Sequence, residues 1–284
     1  ASGGTFETRR AERFGYNNVY GSITLEIGEG YFYNNTFHDE LTLIANTPGS
    51  CTLCTGVTVG WVLPDIFKGE TTFINRGTDK GITVGGQSSA ISHYTTVFEK
   101  KFTFRSESPA TTAANRFGTG LFDSPGIYSA KVKFEGKVLL EGTLNSGEIS
   151  FTHAEFMDTV TVQADGGTVR FGMKGDAVKP VIFRQGIVLN ASGLNIEFGD
   201  ENGAVATLAP AALISVVPGK MNYGKLFFNH IKSQTASPQL ITLGGIGRDS
   251  VMHSKIVTKD SADFAGPVYL LSLIHISPVS YTHL

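Results

Sequence analysis

The sequence predicts an all-β fold and, within that class, a right-handed parallel β-helix or solenoid, with a β-sandwich as the alternative. The first observation is a short pattern that recurs three times between residues 147 and 198, beginning at Gly147, Gly167 and Gly193. The second is composition, because Thr, Val, Ile and Phe dominate the periodic runs while helix-favouring stretches of Ala, Leu, Glu and Lys are nearly absent. The third is a regular succession of Gly- and Asp-containing turns, which places strand centres about nine residues apart.

Each copy of the repeat has the alternation of a β-strand. A β-branched apolar residue and a Phe stand two positions apart with a polar residue between them, so the apolar pair points to one face and the polar residue to the other. Ser150, Arg170 and Glu197 are therefore expected to point outward. We predict that six residues face the core, namely Ile149, Phe151, Val169, Phe171, Ile196 and Phe198.

The spacing of the copies favours the β-helix over the sandwich. Successive Phe residues of the repeat lie 20 and 27 residues apart, a period at which stacked coils can bury a common face. In a solenoid the runs 148–152 and 168–171 pair in parallel. In a sandwich, sequential strands pair antiparallel through tight hairpins. The direction of pairing between these two runs distinguishes the two folds.

Periodicity also predicts the domain organisation. Residues 1–105 form a β-rich region that suits early solenoid coils, residues 126–208 carry the repeats, and residues 209–271 form a weaker β-rich continuation. Between the first two regions, residues 106–125 begin with a Ser-, Thr- and Ala-rich stretch around Pro109 that has no periodicity. This segment is predicted to be a loop or joint.

The two ends of the sequence lead to separate expectations. Residues 272–284 share no period with the strands and resemble a translated sequencing adapter, so a non-native tail is expected there. The chain opens in the middle of the pattern, which indicates an internal or processed piece of a longer protein. Near this beginning, the alternation of residues 22–27 predicts a strand that ends at Gly28 and Gly30.

Composition excludes several classes of protein. Only 17% of the 284 residues are charged and the net charge is −2, so there is no electrostatic reason to expect a nucleic-acid partner. A hydrophobic content of 41% suits a packed core and argues against bulk disorder. No run reaches the roughly 18–20 apolar residues that span a bilayer, so no membrane span is expected.

The two cysteines, Cys51 and Cys54, form the strongest local motif. A zinc site needs about four ligands, and neither a second such pair nor a nearby His pair completes one. Haem attachment requires His directly after the second cysteine, where the sequence has Thr55. A local disulfide is the favoured interpretation, with two free thiols and redox or metal chemistry as the alternatives. So short a loop would stiffen a hairpin tip and is compatible with export of an unfolded chain.

Other polar constellations are predicted to be ordinary turns. They are the triplet His38-Asp39-Glu40, the calcium-loop-like residues 200–203 and the Gly-rich residues 244–247, which lack the further ligands or the lysine that a site would need. No catalytic residue, metal ligand or cofactor is predicted, and the chain is expected not to be an enzyme.

Five stretches share one rhythm of Gly turns, Asn-rich corners and alternating apolar residues, namely 3–6, 32–37, 144–151, 165–171 and 189–198. In this rhythm and in composition the chain resembles the passenger regions of bacterial autotransporter adhesins and related β-helical surface proteins. The resemblance is best over residues 126–208. It implies export to the cell surface or the extracellular medium, a non-catalytic stalk or adhesive role, and no cofactor. The partners would be glycans or proteins of a host or matrix surface.

Two other functions remain open at the level of sequence. One is a structural protein of a virion or appendage, built from β-sandwiches. The other is a β-helical carbohydrate-active enzyme, which rests on fold analogy because sequence does not place two carboxylates across a cleft.

Overall fold

A computed structural model of the chain describes residues 4–46, 57–60, 63–77, 80–85, 95–107, 114–118, 131–172, 180–199, 205–217, 225–229, 231–233, 239–243, 255–258, 262–263 and 268–272. Within these residues the regular secondary structure is entirely β-strand. The predicted all-β class is confirmed. No helix in the described part of the chain is long and apolar enough to cross a membrane.

The strands in chain order are β1 (Gly4–Gly15), β2 (Asn18–Val19), β3 (Ile23–Tyr33), β4 (Thr36–Phe37), β5 (Leu41–Ala45), β6 (Val57–Val59), β7 (Ile66–Phe67), β8 (Thr71–Asn75), β9 (Ile82–Val84), β10 (Thr95–Phe98), β11 (Phe102–Ser106), β12 (Ala114–Phe117), β13 (Lys131–Phe134), β14 (Val138–Phe151), β15 (Ala154–Phe156), β16 (Val160–Phe171), β17 (Val181–Phe183), β18 (Ile187–Leu189), β19 (Asn195–Phe198), β20 (Ala206–Leu208), β21 (Ile214–Val216), β22 (Lys225–Phe228), β23 (Ile231–Ser233), β24 (Gln239–Leu243), β25 (Lys255–Thr258), β26 (Ala262–Asp263) and β27 (Val268–Ser272).

The strands form three series in which every pairing between described strands is parallel. The first series contains β5, β8, β11, β18, β21, β24, β27 and the first halves of β3, β14 and β16. The second contains β6, β9, β12, β19, β22, β25 and the second halves of the same three long strands. These two series, with β1, make up a 17-stranded sheet. The third series is a separate 10-stranded sheet of β2, β4, β7, β10, β13, β15, β17, β20, β23 and β26.

Each strand pairs with the next member of its own series further along the chain. Directly paired residues of neighbouring strands are separated by as few as 18 residues, as for Ala11 and Glu29, and by as many as 36, as for Arg105 and Glu141. Because the pairing is parallel and in register, side chains at equivalent positions lie in columns that run across the strands.

The long strands β3 and β14 correct the predicted fold class. Each pairs with one strand of the first series and one of the second, so the pairings close a ring of eight parallel strands in the order β3, β5, β8, β11, β14, β12, β9, β6 and back to β3. The predicted right-handed β-helix would keep each face as a separate, open sheet. The closed eight-strand parallel ring, of the kind found in barrels, overturns that prediction.

The direction of pairing rules out the sandwich as well. Residues 148–151 of β14 pair in parallel with residues 168–171 of β16, as Glu148 with Thr168 and Phe151 with Phe171. The parallel pairing predicted for these two runs is confirmed. The β-sandwich alternative is wrong, because its sequential strands would be antiparallel.

The core consists of columns of Phe and aliphatic side chains between the three series. In the third series the rings of Phe37, Phe67, Phe98, Phe134, Phe156 and Phe183 stack with centroids 4.6–5.2 Å apart. The six residues predicted to face inward are all fully buried, namely Ile149, Phe151, Val169, Phe171, Ile196 and Phe198. The inward half of the repeat prediction is confirmed.

Two local features differ from the sequence expectation. The outward position of Ser150 does not expose it to solvent, because Ser150 is fully buried and its Oγ lies 3.5 Å from the carbonyl oxygen of Asn115. Arg116 and Arg170 occupy the equivalent positions on the neighbouring strands, and such long side chains shield a short one between them. The strand predicted to end at Gly28 continues to Tyr33, because pairing with β1 resumes at Glu29 after a bulge.

The predicted division into segments remains a prediction, although some of its parts can be located. Residues 114–117 of the expected joint form β12 and pair with β9 and β14. β11 of the first segment pairs directly with β14 of the repeat segment. Residues 273–284 of the expected tail lie outside the described residues.

Candidate functional site

A polar cleft opens on the outer surface beside the end of β11 and the middle of β14 and β16. This cleft has a volume of about 410 Å³ and is referred to below as the polar cleft. Its lining residues are Arg105, Ser106, Glu107, Glu141, Gly142, Thr143 and Gln163.

The register of the strands places these side chains. Arg105 pairs with Glu141, and Glu141 pairs with Gln163, so three polar side chains form one column on the outer face. In the adjacent column, Gly142 lies against Ser106 with φ of 97°. A Cβ at Gly142 would lie 2.1 Å from the Ser106 carbonyl oxygen, so this contact requires glycine.

Ion pairs hold the walls of the polar cleft. The Arg105 guanidinium contacts Glu141 Oε1 at 2.6 Å and Glu107 Oε1 at 3.7 Å. Arg76, which directly follows β8, donates through Nε to Glu107 Oε2 at 2.8 Å. Two guanidinium groups therefore face two carboxylates, and the local charge is balanced.

Two further polar side chains of the cleft face solvent. Thr143 and Gln163 are both exposed. Together with the ion pairs they offer a hydroxyl, an amide, carboxylate oxygens and guanidinium N–H groups within one concave surface. The arrangement suits hydrogen bonding to a polar ligand. Among the described residues, no group of three or more His, Cys, Asp or Glu could hold a metal ion.

A second polar cluster lies inside the fold, around Asp65. The backbone N–H and Nδ2 of Asn35 each donate to Asp65 Oδ1 at 2.8 Å, and the Gly60 N–H donates to Oδ2 at 2.7 Å. Asn17 Nδ2 in turn donates to Asn35 Oδ1 at 3.0 Å. Burial raises the pKa of Asp65 to about 7, outweighing these hydrogen bonds, which lower it. Asp65 is fully buried, so the cluster lies inside the fold and links Gly60, directly after β6 of the second series, to residues directly before the third-series strands β2, β4 and β7.

A third cluster surrounds Glu155 on the third series. Arg184 Nη2 donates to Glu155 Oε1 at 2.8 Å, and Lys131 Nζ donates to Oε2. Burial acts to raise the pKa of Glu155, but its hydrogen bonds with Lys131 and Arg184 and their positive charges together lower it below its ordinary value. Both cations are committed to this carboxylate, so the cluster is a structural ion pair.

Of the polar residues singled out in the sequence, the structure describes the triplet His38-Asp39-Glu40. His38 Nε2 lies 3.3 Å from Asn18 Oδ1, and the ring stacks on Tyr20 with centroids 4.2 Å apart. Asp39 accepts a hydrogen bond from the Gly21 N–H at 2.6 Å. Cys51 and Cys54, with their candidate disulfide, lie outside the described residues, as do residues 200–203 and 244–247.

Sequence reasoning missed the polar cleft. Its residues come from three strands, and only the pairing register brings Arg105 beside Glu141, 36 residues further along the chain. No family model, no curated protein and no solved structure matches this chain.

Proposed function

We propose that this chain is a non-catalytic structural or adhesive protein of a bacterial cell surface or of the extracellular medium. The observation that carries the proposal is the continuous run of parallel pairings from β1 to β27 in three series. Parallel, in-register pairing repeats the same backbone hydrogen bonds from one strand to the next and aligns equivalent side chains in columns on the outer faces.

The packing of the core supports a stiff body. Rings of the second series stack face to face, with centroids 4.9 Å apart for Phe117 and Phe151 and 5.4 Å apart for Phe171 and Phe198. Rings of the second and third series also meet edge to face, as Phe151 and Phe156 do at 5.1 Å. Close-packed interiors of this kind deform little, so they hold surface groups at fixed positions.

The outer faces support an adhesive role. Ion pairs bridge adjacent strands, and Arg170 joins Glu148 at 2.7 Å to Glu197 at 2.9 Å across three strands of the second series. Columns of side chains held at a constant spacing can contact a repetitive partner at several points at once. Several weak contacts then give avidity without a deep pocket.

A bead-adhesion assay tests the proposal. Beads coated with the folded chain are passed over layers of mucin, collagen and fibronectin, with albumin-coated beads and beads carrying the heat-unfolded chain as controls. We expect the folded chain to retain many more beads than either control on at least one layer. Retention equal to the controls on all three layers would overturn the adhesive function.

The non-catalytic part of the proposal has its own measurement. The chain is incubated with starch, cellulose, chitin and pectin, and released reducing ends are counted over a day. We expect no release above that of the heat-unfolded chain. Steady release that scales with protein concentration would make the chain a carbohydrate-active enzyme instead.

A further inference from the structure

We infer that the polar cleft binds a neutral carbohydrate, as a subsite for a mono- or disaccharide unit of a glycan. The inference deepens the proposed function and rests on it, because it names the class of partner that an adhesive face would hold. Four properties of the cleft carry it: size, charge, the chemistry of the lining and the rigidity of the walls.

The size of the cleft suits a small polar ligand. Its volume of about 410 Å³ lies within the range of roughly 300–1,000 Å³ typical of small-molecule sites. Two of the lining residues meet through backbone, because the Cβ atom that any other residue would place at Gly142 would collide with the Ser106 carbonyl oxygen.

The balance of charge selects an uncharged ligand. Arg105 and Arg76 are matched by Glu107 and Glu141 in direct ion pairs. A phosphate or an acidic sugar would approach the two carboxylates, and a cation would have to compete with Arg105 for both of them. A neutral ligand meets neither penalty.

The lining matches the hydroxyl groups of a sugar. Arg105 has five N–H donors, of which Nε and Nη2 are directed at Glu141 Oε1, so further donors remain for a ligand. The carboxylate oxygens keep additional lone pairs, and the amide of Gln163 presents one donor and one acceptor side by side. Neighbouring hydroxyls of a sugar ring both donate and accept, so they can satisfy such paired groups. The apolar side chains of the core lie behind the sheet and are absent from the lining.

The walls are held before any ligand binds. Glu107 is fixed by Arg76 at 2.8 Å, and Glu141 is fixed by Arg105 at 2.6 Å. The strands that carry these residues are paired on both sides within the first series. Preorganised polar groups lose little conformational entropy on binding, which favours recognition of a weakly binding sugar.

The test uses saturation-transfer NMR on the full chain with three neutral probes: maltotriose, cellotriose and tri-N-acetylchitotriose. We expect saturation transfer from the protein to at least one of these sugars. Gln163→Ala and Glu107→Gln should each weaken that binding about five- to tenfold, the loss of one hydrogen bond or one charged partner. Binding that both variants leave unchanged would overturn the inference.

Controls separate specific binding from other effects. Lys133→Gln breaks an exposed ion pair with Glu135 on the third series and should leave sugar binding unchanged, whereas an equal loss in this variant would contradict the cleft as the site. Thermal melting by circular dichroism checks that every variant is folded before its binding is compared. Trigalacturonic acid serves as the acidic probe, and a preference for it over the neutral sugars would also overturn the inference.

The outcomes distinguish this inference from the proposed function. If the beads adhere but no neutral sugar shows saturation transfer, the inference of a carbohydrate site in the polar cleft is overturned, and the adhesive function would belong to another face. If a neutral sugar shows saturation transfer that depends on Gln163 but the beads do not adhere, the carbohydrate site is supported and the adhesive function is overturned.

Discussion

The ring of Phe151 stacks on the ring of Phe171, with centroids 5.3 Å apart and planes inclined by 13°. The two residues are directly paired across β14 and β16, and both are fully buried. Phe117 stacks on the far side of Phe151 at 4.9 Å, and Phe198 on the far side of Phe171 at 5.4 Å. Each inner ring of this column therefore has a neighbouring ring on both faces.

Phe171→Ala should lower the free energy of unfolding by about 3–5 kcal/mol, because it removes a buried ring and leaves a cavity that the paired strands cannot close. Urea unfolding of the variant and the parent chain measures the difference. Met157→Ala is the control, since that side chain is exposed and its loss should cost no more than about 0.5 kcal/mol. A loss below about 1 kcal/mol for Phe171→Ala would contradict the close packing of Phe171 between its two neighbouring rings.

The inward faces of these strands could be predicted because alternation is a local property. Ile149 and Phe151 stand two positions apart, and a strand of any topology puts them on one face. Burial of outward positions depends on neighbouring strands. Ser150 is buried because Arg116 and Arg170 flank it, and those residues lie 34 and 20 positions away in the sequence.

The closure of the pairings and the polar cleft could not be predicted from the sequence. Closure requires that β3 and β14 run on from the first series into the second, although Gly28 and Gly142 look like strand ends. Glycine permits a bulge or a left-handed residue inside a continuing strand, as Gly142 does with φ of 97°. The cleft depends on the same register, which no local pattern encodes.

Gly142→Ala should destabilise the chain by about 2–3 kcal/mol, because alanine would be strained at φ of 97° and its Cβ would meet the Ser106 carbonyl oxygen. The melting temperature reports the loss. Gly186→Ala is a matched control, since a Cβ there meets only the Leu213 carbonyl oxygen at 3.4 Å and should change stability little. Equal melting temperatures for the two variants would contradict the close contact at Gly142.

Glu155→Gln should cost more than Arg170→Met, although each residue bridges two partners. The Glu155 side chain is only 10% exposed and accepts hydrogen bonds from Lys131 and Arg184, so we expect a loss of about 2 kcal/mol. Arg170 is 37% exposed, and its pairs with Glu148 and Glu197 are screened by water, so we expect about 1 kcal/mol or less. Denaturant unfolding at low and high salt measures both changes, and the reverse order of losses would be inconsistent with this explanation.

The raised pKa of Asp65 predicts that the stability of the chain falls between about pH 4 and pH 7. Its pKa in the folded chain is raised from 3.8 to about 7, chiefly by burial. Between these two values the folded chain keeps a proton that the unfolded chain has released. The stabilising contribution of this proton is therefore complete below about pH 4, is lost as the pH rises towards 7, and changes no further above that pH. The full change amounts to at most about 4 kcal/mol, at 1.36 kcal/mol for each unit of pKa.

The Asp65→Asn variant isolates this contribution, because asparagine does not titrate. Its amide also places an N–H donor where the side chain of Asp65 accepts from Asn35 or Gly60, so the variant should be less stable than the parent chain at pH 4. The free energy of unfolding of the parent chain relative to that of the variant should fall steadily from pH 4 to pH 7 and then stay constant, since all other titrating groups are shared. Urea unfolding at half-unit intervals of pH measures that difference. A difference that does not change over this range would show that Asp65 is already ionised in the folded chain at pH 4, and that its hydrogen bonds with Asn35 and Gly60 outweigh its burial.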